Sequence, residues 1–254
     1  MTNLLDYPLL VFVLSFFTLC LSVVIGAVLR RGRDLKGDTH KNYDVVLAAT
    51  LTLLGLIIGF SFSMATNRYD LRKNYEEAEA NAIGTEYVRA DLLPAAKAER
   101  IHVLLRKYTD QRILFYETRD ERQLAQINAD TAKLQAELWS VVVESADSRP
   151  APIIALVASG MNDVLNSQGY TQAAWWNRIP IAAWILMVSI AICCSFLVGY
   201  DVRDLKAGRI LIPILPLIVS IAFFLIADID SPRRGAIHVH AQNLLSVSKS
   251  LRAP

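Results

Sequence analysis

The chain has 254 residues, of which 54% are hydrophobic and 20% are charged, and its formal net charge is +2. A soluble domain holds about 45–50% apolar residues. This composition and a mean hydropathy of +0.34 therefore require that the apolar residues be segregated from the charged ones. That pattern excludes a disordered chain, a collagen and a disulfide scaffold. With a net charge of +2, no bulk basic character points to nucleic-acid binding.

Four apolar stretches that are almost free of charge predict membrane-spanning helices. About 20 apolar residues are enough to cross a hydrocarbon core of roughly 30 Å, and backbone groups in lipid are satisfied only within a helix or a closed barrel. Pro213 and Pro216 predict a kink in the fourth stretch. Short loops join the first two stretches and the last two, so the spans form two hairpins. The predicted spans cover residues 8–29, 45–65, 179–200 and 210–227.

The orientation in the membrane is nearly balanced by the positive-inside rule. The two short loops carry eight basic residues, and the opposite side carries seven. The loop residues are Arg30, Arg31, Arg33, Lys36, Lys41, Arg203, Lys206 and Arg209. The residues of the opposite side are Arg68, Arg72, Lys73, Arg178, Arg233, Arg234 and Lys249.

The charged middle of the chain predicts a helical bundle, because strand signals are missing and apolar residues recur at helical spacing. Pro94 ends the extension of the second span. Further helices are predicted over residues 95–118, 120–146 and 153–167, the last closed by Gly169. The fold class is therefore all-α. The predicted layout is a first transmembrane hairpin at 1–65, a bundle at 66–174, a second hairpin at 175–230 and a tail at 231–254.

The second span and its extension predict one helix of about 48 residues, or roughly 70 Å. One stripe along it, at spacings of three and four, changes from apolar to polar, and Gly55 and Gly59 beside it would allow close helix approach. A ring of such helices would form an apolar constriction that opens into a wet vestibule. Helix packing and a solvated face are the alternatives. The candidate pore-lining residues are Leu56, Phe60, Ser63, Asn67, Asp70 and Asn74, with Glu77 and Asn81 extending the stripe.

Asp228 and Asp230 end the fourth span, where they are either interfacial polar caps or residues of an interface or ion-binding site. His238 and His240 lack the third and fourth ligands that a metal site needs, so no metal is expected. No nucleophile constellation and no phosphate-binding or dinucleotide-binding loop is present. The sequence therefore predicts neither an enzyme nor a cofactor.

Two segments, residues 59–94 and 228–247, resemble the bacterial bestrophin-like membrane proteins, which are distantly related to the bestrophin anion channels. The resemblance implies a ring of subunits, such as a pentamer, with span two innermost and Phe60 and Phe62 at the neck. It also implies a cytoplasmic bundle and tail, and a multi-pass location in the bacterial inner membrane. Ser61 and Ser63 interrupt the apolar neck pattern of bestrophins. No acidic run follows Asp230, so a bestrophin-type calcium site is not expected.

The resemblance implies an oligomeric ion channel that conducts anions, whose partners are the lipid bilayer, other copies of the chain and small inorganic or organic ions. Charges at the predicted pore exit influence whether anions or cations pass, because bases attract anions and acids repel them. The exit charges are Arg68, Arg72, Lys73 and Glu77. The alternative function is a non-conducting membrane scaffold or sensor whose helical bundle binds a protein partner.

Overall fold

The structure is a computed structural model that describes residues 4–30, 37–148, 152–201 and 212–252. Within these ranges every regular element is helical, which confirms the predicted all-α class. A 3-10 helix at Leu4–Asp6 comes first. The α-helices are α1 (Pro8–Arg30), α2 (Gly37–Ala90), α3 (Ala95–Glu117), α4 (Glu121–Ser148), α5 (Pro152–Trp176), α6 (Ile181–Asp201), α7 (Ile214–Asp230) and α8 (Gln242–Ser250).

Three helical stretches among the described residues are long and apolar enough to cross a membrane: Pro8–Arg30, Tyr43–Ala90 and Pro152–Asp201, the last of which contains α5 and α6. They include the first three predicted spans. Helix α7 has 17 residues, the lower limit for a span. The predicted start of the fourth span at Ile210 and most basic residues of the two short loops lie outside the described residues, so a fourth span stays a prediction.

The prolines and glycine that were expected to shape two helices act differently from the prediction. Pro213 and Pro216 do not kink the middle of a helix, because α7 begins only at Ile214 and Pro216 lies in its first turn. A first-turn residue has no intrahelical partner for its N–H, so proline costs little there. Gly169 does not close α5, which continues to Trp176.

The chain forms two compact units. Unit 1 contains Met1–Arg68 and Arg178–His238, and unit 2 contains Tyr69–Asn177 and Val239–Pro254. In unit 1, α1 packs closely on α6 because glycines face backbone at the crossing. The Ser22 hydroxyl also donates a hydrogen bond of 2.9 Å to the carbonyl oxygen of Ile192. A Cβ atom on Gly199 would lie 2.7 Å from the carbonyl carbon of Val23, closer than packed atoms approach, so only glycine fits there.

Replacing Gly199 with alanine is therefore expected to force α1 and α6 apart and to lower the free energy of unfolding by about 1–3 kcal/mol, the usual cost of overpacking. Thermal unfolding in detergent measures the change. Gly169→Ala is the matched control, because a Cβ there meets no atom within 4 Å and alanine favours a helix. Equal unfolding temperatures for wild type and Gly199→Ala would contradict the close crossing.

The core of unit 2 is built on α3, whose apolar stripe is buried as its spacing predicts; Ile101, Leu105 and Tyr108 are each 0% exposed. The indole of Trp175, at the end of α5, packs edge-on against the rings of Phe115 and Tyr116 at centroid distances of 5.0 and 5.4 Å. Aromatic contacts of this geometry add to the apolar burial. The end of α5 is thereby fixed to α3.

Candidate functional site: one face of helix α2

In unit 1, the predicted pore-lining residues of α2 lie on a face that no other described part of the chain covers. The side chains of Leu56 and Phe60 are 52% and 60% exposed, and Ser63 and Asn67 are also exposed. Gly55 and Gly59 are equally open, since a Cβ atom on either would meet nothing within 4 Å. A helix in lipid or in an oligomer can therefore approach this face closely.

In unit 2, the same spacing continues along α2 with polar side chains. Asp70 and Asn74 from the candidate set are exposed, as are Glu77 and Asn81. Within the described ranges, none of these four side chains has a hydrogen-bond or ion-pair partner. We call the following eight exposed residues of α2 the open stripe: Leu56, Phe60, Ser63, Asn67, Asp70, Asn74, Glu77 and Asn81.

The opposite face of α2 in unit 2 is also charged but is buried. Arg72 is 2% exposed, Glu76 is 1% exposed, and Glu79 and Glu86 are each 0% exposed. A charge stays buried only when it is paired, hydrogen-bonded or neutralised. The sequence analysis placed Arg72 at the pore exit and predicted burial for none of the four, although they recur at the helical spacing of core positions together with the fully buried Ile83.

Glu79 is the centre of a buried polar network. Its carboxylate pairs with the Arg112 guanidinium, and both side chains are completely buried. The same carboxylate accepts hydrogen bonds from the hydroxyls of Thr171 at 3.1 Å and Tyr116 at 3.3 Å. Burial and the nearby Glu79 charge raise the pKa of the Tyr116 phenol far above its usual range, so it stays a donor. The network joins α2, α3 and α5.

Glu76 holds the C-terminal segment of the chain against α2. Its carboxylate accepts a hydrogen bond of 2.9 Å from the backbone N–H of Leu244 and one of 2.6 Å from the side-chain amide of Asn243. Both residues lie in the first turn of α8, where N–H groups lack helical partners and a negative charge is favoured. The region predicted as a tail thus contains a helix that belongs to unit 2.

The predicted pore-exit charges divide between the two faces of α2. Lys73 and Glu77 are exposed. The Arg72 guanidinium is buried and donates a hydrogen bond of 3.4 Å from Nε to the carbonyl oxygen of Ala174. The Arg68 side chain, 17% exposed, lies 3.7 Å from the Asp230 carboxylate. Two of the three bases are therefore drawn away from the open stripe.

Asp228 and Asp230 are each 3% exposed and organise the backbone of unit 1. Asp228 accepts hydrogen bonds of 2.8 Å from the backbone N–H groups of Ala236 and Ile237. Asp230 accepts from the N–H of Ile179 at 3.2 Å. Both carboxylates thus fix the chain around the end of α7. Among the described residues, no three His, Cys, Asp or Glu side chains converge as they would to hold a metal ion.

The apolar helices and the continuous α2 define the class of the protein as an all-helical integral membrane protein. The chain belongs to the Bestrophin-like family, whose domain model matches residues 11–244. This confirms the resemblance seen in the sequence, and the family is known for ion channels rather than enzymes.

Solved structures share the fold at low sequence identity. A mutant of a bacterial bestrophin homologue from Klebsiella pneumoniae is 13% identical, with a TM-score of 0.67 over 94% of this chain and 97% of the other. Another structure of a bestrophin homologue from that organism is 13% identical, with a TM-score of 0.66 over 94% of this chain and 96% of the other. No curated protein matches the chain.

Proposed function

We propose that the protein is an oligomeric ion channel whose α2 helices surround a common axis and line the pore with the open stripe. The observation that carries the proposal is the exposure of all eight stripe residues in the single chain, from apolar Leu56 and Phe60 to polar Asn81. The uncovered Gly55 and Gly59 beside the stripe would allow the α2 helix of another copy to approach closely, as small residues do at helix interfaces in membranes.

The order of residues along the stripe suits conduction. Phe60 would form the constriction, where an apolar ring gates by dewetting. Ser63 and Asn67 follow within two helical turns and supply polar groups where ions must regain water. The remaining polar residues of the open stripe, from Asp70 to Asn81, would line a vestibule. In this arrangement the bundle and the tail lie in the cytoplasm, and four spans cross the bacterial inner membrane. The expected oligomer is a ring of five subunits.

The first experiment measures the mass of the particle in mild detergent, where a ring gives a multiple of the 28.3 kDa chain mass. The second measures ion flux from liposomes. Phe60→Ala is expected to widen the constriction and to raise the flux severalfold, because a smaller side chain lowers the barrier to wetting. Phe17→Ala is the matched control, because Phe17 is a 66% exposed phenylalanine on α1 and should leave the flux unchanged.

Two results would overturn the proposal. A particle that is a monomer or a dimer leaves no axis for α2 to surround. A ring in which neither wild type nor Phe60→Ala passes ions would instead support the non-conducting scaffold or sensor. An equal effect of Phe17→Ala would show that the change in flux reflects general loosening of the membrane helices.

A further inference from the structure

We infer that each copy of the protein binds one anionic phospholipid in a groove between α1 and α6. An acyl chain lies along the groove, and the phosphate group lies beside the arginines at one end of it. The inference does not depend on the proposed function, because the groove is formed by α1, α6 and α7 rather than by α2.

Two contiguous cavities of unit 1 form this groove. The first has a volume of about 360 Å³ and lies between α1, α6 and α7. The second has a volume of about 550 Å³ and continues along α1 and α6 as far as Ile25 and Leu197. Thr18 and Ile192 line both cavities, so the two form one passage along the helices. We call this passage the α1–α6 groove.

The α1–α6 groove has the length and the lining that an acyl chain requires. From Trp184 to Leu197 it follows α6 for about 20 Å, at 1.5 Å per residue. One leaflet contributes about 15 Å of the hydrocarbon core of a bilayer. The hydroxyls of Ser15 and Ser22, which line the groove, are already bonded to carbonyl oxygens of the helices. The groove can therefore hold a lipid chain through the full depth of a leaflet.

A buried indole N–H lines the α1–α6 groove. Trp184 is 5% exposed and packs edge-on against Phe223 at a centroid distance of 6.1 Å. Its Nε1 has no hydrogen-bond partner among the described residues, although a buried indole N–H usually finds one. Trp184 lies in the first turn of α6, close to the level at which interfacial tryptophans meet the headgroups. Phospholipid ester carbonyls occur at that level and would accept this hydrogen bond.

Two arginines flank the same end of the α1–α6 groove. Leu5 lines this end, and each of the next two residues contacts an arginine. The Arg178 guanidinium lies 2.5 Å from the Asp6 carboxylate. The Arg234 guanidinium stacks on the ring of Tyr7, 4.5 Å from its centroid.

The charges of these four side chains favour an anionic headgroup. Two guanidinium groups and one carboxylate leave an excess of one positive charge. Arginine matches the geometry of phosphate oxygens, and basic residues at the membrane surface attract anionic lipids. Because this charge lies at the end of an apolar groove, the structure favours a ligand with a phosphate at one end and a long apolar chain. An anionic phospholipid of the surrounding bilayer has that chemistry.

The first test uses native mass spectrometry of the full-length protein in detergent. The protein is titrated with dioleoyl phosphatidylglycerol or with dioleoyl phosphatidylcholine, and the spectra give the number of bound lipids and their Kd. Wild type is expected to saturate at one phosphatidylglycerol per chain and to bind it about fivefold more tightly than phosphatidylcholine. Arg234→Gln should bring the two Kd values together. Arg122→Gln is the control, because it removes an exposed base of α4 and should leave both values unchanged.

The second test blocks the α1–α6 groove. Thr18→Trp places a large side chain where the two cavities meet, and it should abolish the binding of both lipids. Thr18 is exposed, so the substitution leaves the helix packing in place. Val13→Trp is the matched control, because Val13 is a 44% exposed residue of α1 that lines neither cavity. It should bind both lipids as wild type does.

The third test addresses the indole. Trp184→Phe keeps an aromatic ring but removes the N–H. It should weaken the binding of ester-linked phosphatidylglycerol and should not change the binding of an ether-linked analogue, which has no carbonyl oxygen. Equal losses of the two lipids would overturn the proposed position of the ester group.

Four other results would overturn the inference. A lipid count that rises without saturating in wild type would show general contact with the bilayer only. Equal Kd values of wild type for the two headgroups would exclude recognition of the phosphate by the arginines. Binding by Thr18→Trp equal to that of wild type, or an equal loss in Val13→Trp, would exclude the groove as the site. A change in the particle mass of Thr18→Trp would show that a neighbouring copy, not a lipid, occupies the groove.

Discussion

Replacing Arg112 with methionine is expected to lower the free energy of unfolding by about 3–5 kcal/mol, because it leaves the Glu79 carboxylate buried without its cation. Both side chains are 0% exposed. Burial alone would lower the pKa of Arg112, but the adjacent Glu79 carboxylate raises it, so the guanidinium stays charged. The guanidinium also stacks on the ring of Phe115, 4.4 Å from the centroid, and methionine retains part of that packing.

The measurement is thermal or denaturant unfolding of the purified protein, with a comparison to the exposed pair of Arg252 and Asp110. Those side chains are 54% and 47% exposed, so Arg252→Ala should cost no more than about 1 kcal/mol. Adding Glu79→Gln to Arg112→Met should recover part of the loss, because no ionised group then remains buried. A loss no greater than that of Arg252→Ala would contradict the central role of the network.

Most of the helices before the predicted tail could be predicted because their causes are local. Apolar runs of about 20 residues, the helical period of the middle region and the break at Pro94 each act within a few residues of the chain. The sequence therefore predicted α3 over 95–118, and the structure has it at Ala95–Glu117. It also predicted that span two continues far beyond the apolar region, and α2 extends to Ala90.

The buried charges could not be predicted because their partners are distant in sequence. Both faces of α2 in unit 2 are polar and have the same period, so composition does not separate Glu77, which is exposed, from Glu79, which is buried. The difference lies in Arg112, 33 residues away from Glu79. The burial of Glu76 likewise depends on a distant partner, Leu244, which is 168 residues away. Only the packing of α3 and α8 reveals which charges are internal.

The same reasoning applies to the charges that were predicted at the end of the apolar part of α2. From the sequence alone, Arg68, Arg72 and Lys73 would attract anions and the nearby acid Glu77 would repel them, so the net effect stayed open. Once Asp230 and the carbonyl oxygen of Ala174 take the two arginines, the count on the exposed face is acidic. The period of the open stripe could be predicted, whereas the burial of the neighbouring arginines depended on contacts with α5 and α7.

Glu86 provides a second prediction, on the dependence of stability on pH. It lies in unit 2, well beyond the predicted span at residues 45–65, and is 0% exposed. Neither carboxylate oxygen has a hydrogen-bond partner among the described residues. The side chain faces Gly160 of α5, where a Cβ atom would overlap both its carboxylate and the guanidinium of Arg89. Burial raises the pKa of Glu86 to about 8, Arg89 lowers it in part, and Asp163 raises it further.

A carboxyl whose pKa is raised in the folded protein binds a proton more tightly there than in the unfolded chain. Between its ordinary value of 4.5 and about 8, the contribution of Glu86 to the free energy of unfolding therefore falls as the pH rises, by up to about 1.4 kcal/mol per pH unit. Above pH 8 the fall ends, because both states are ionised. Glu86→Gln should remove this dependence, so its advantage over wild type should be larger at pH 8 than at pH 5.

Unfolding curves of wild type and Glu86→Gln across that pH range measure the difference directly. Glu117→Gln is the control for the loss of an acid, because Glu117 is exposed whereas Glu86 is buried. Gly160→Ala tests the geometry independently, since the added methyl group would displace the carboxylate and admit water, which should reduce the pH dependence as well as the stability. Parallel curves for wild type and Glu86→Gln would show that the carboxyl is hydrated, and that α2 and α5 are not sealed against each other at Gly160.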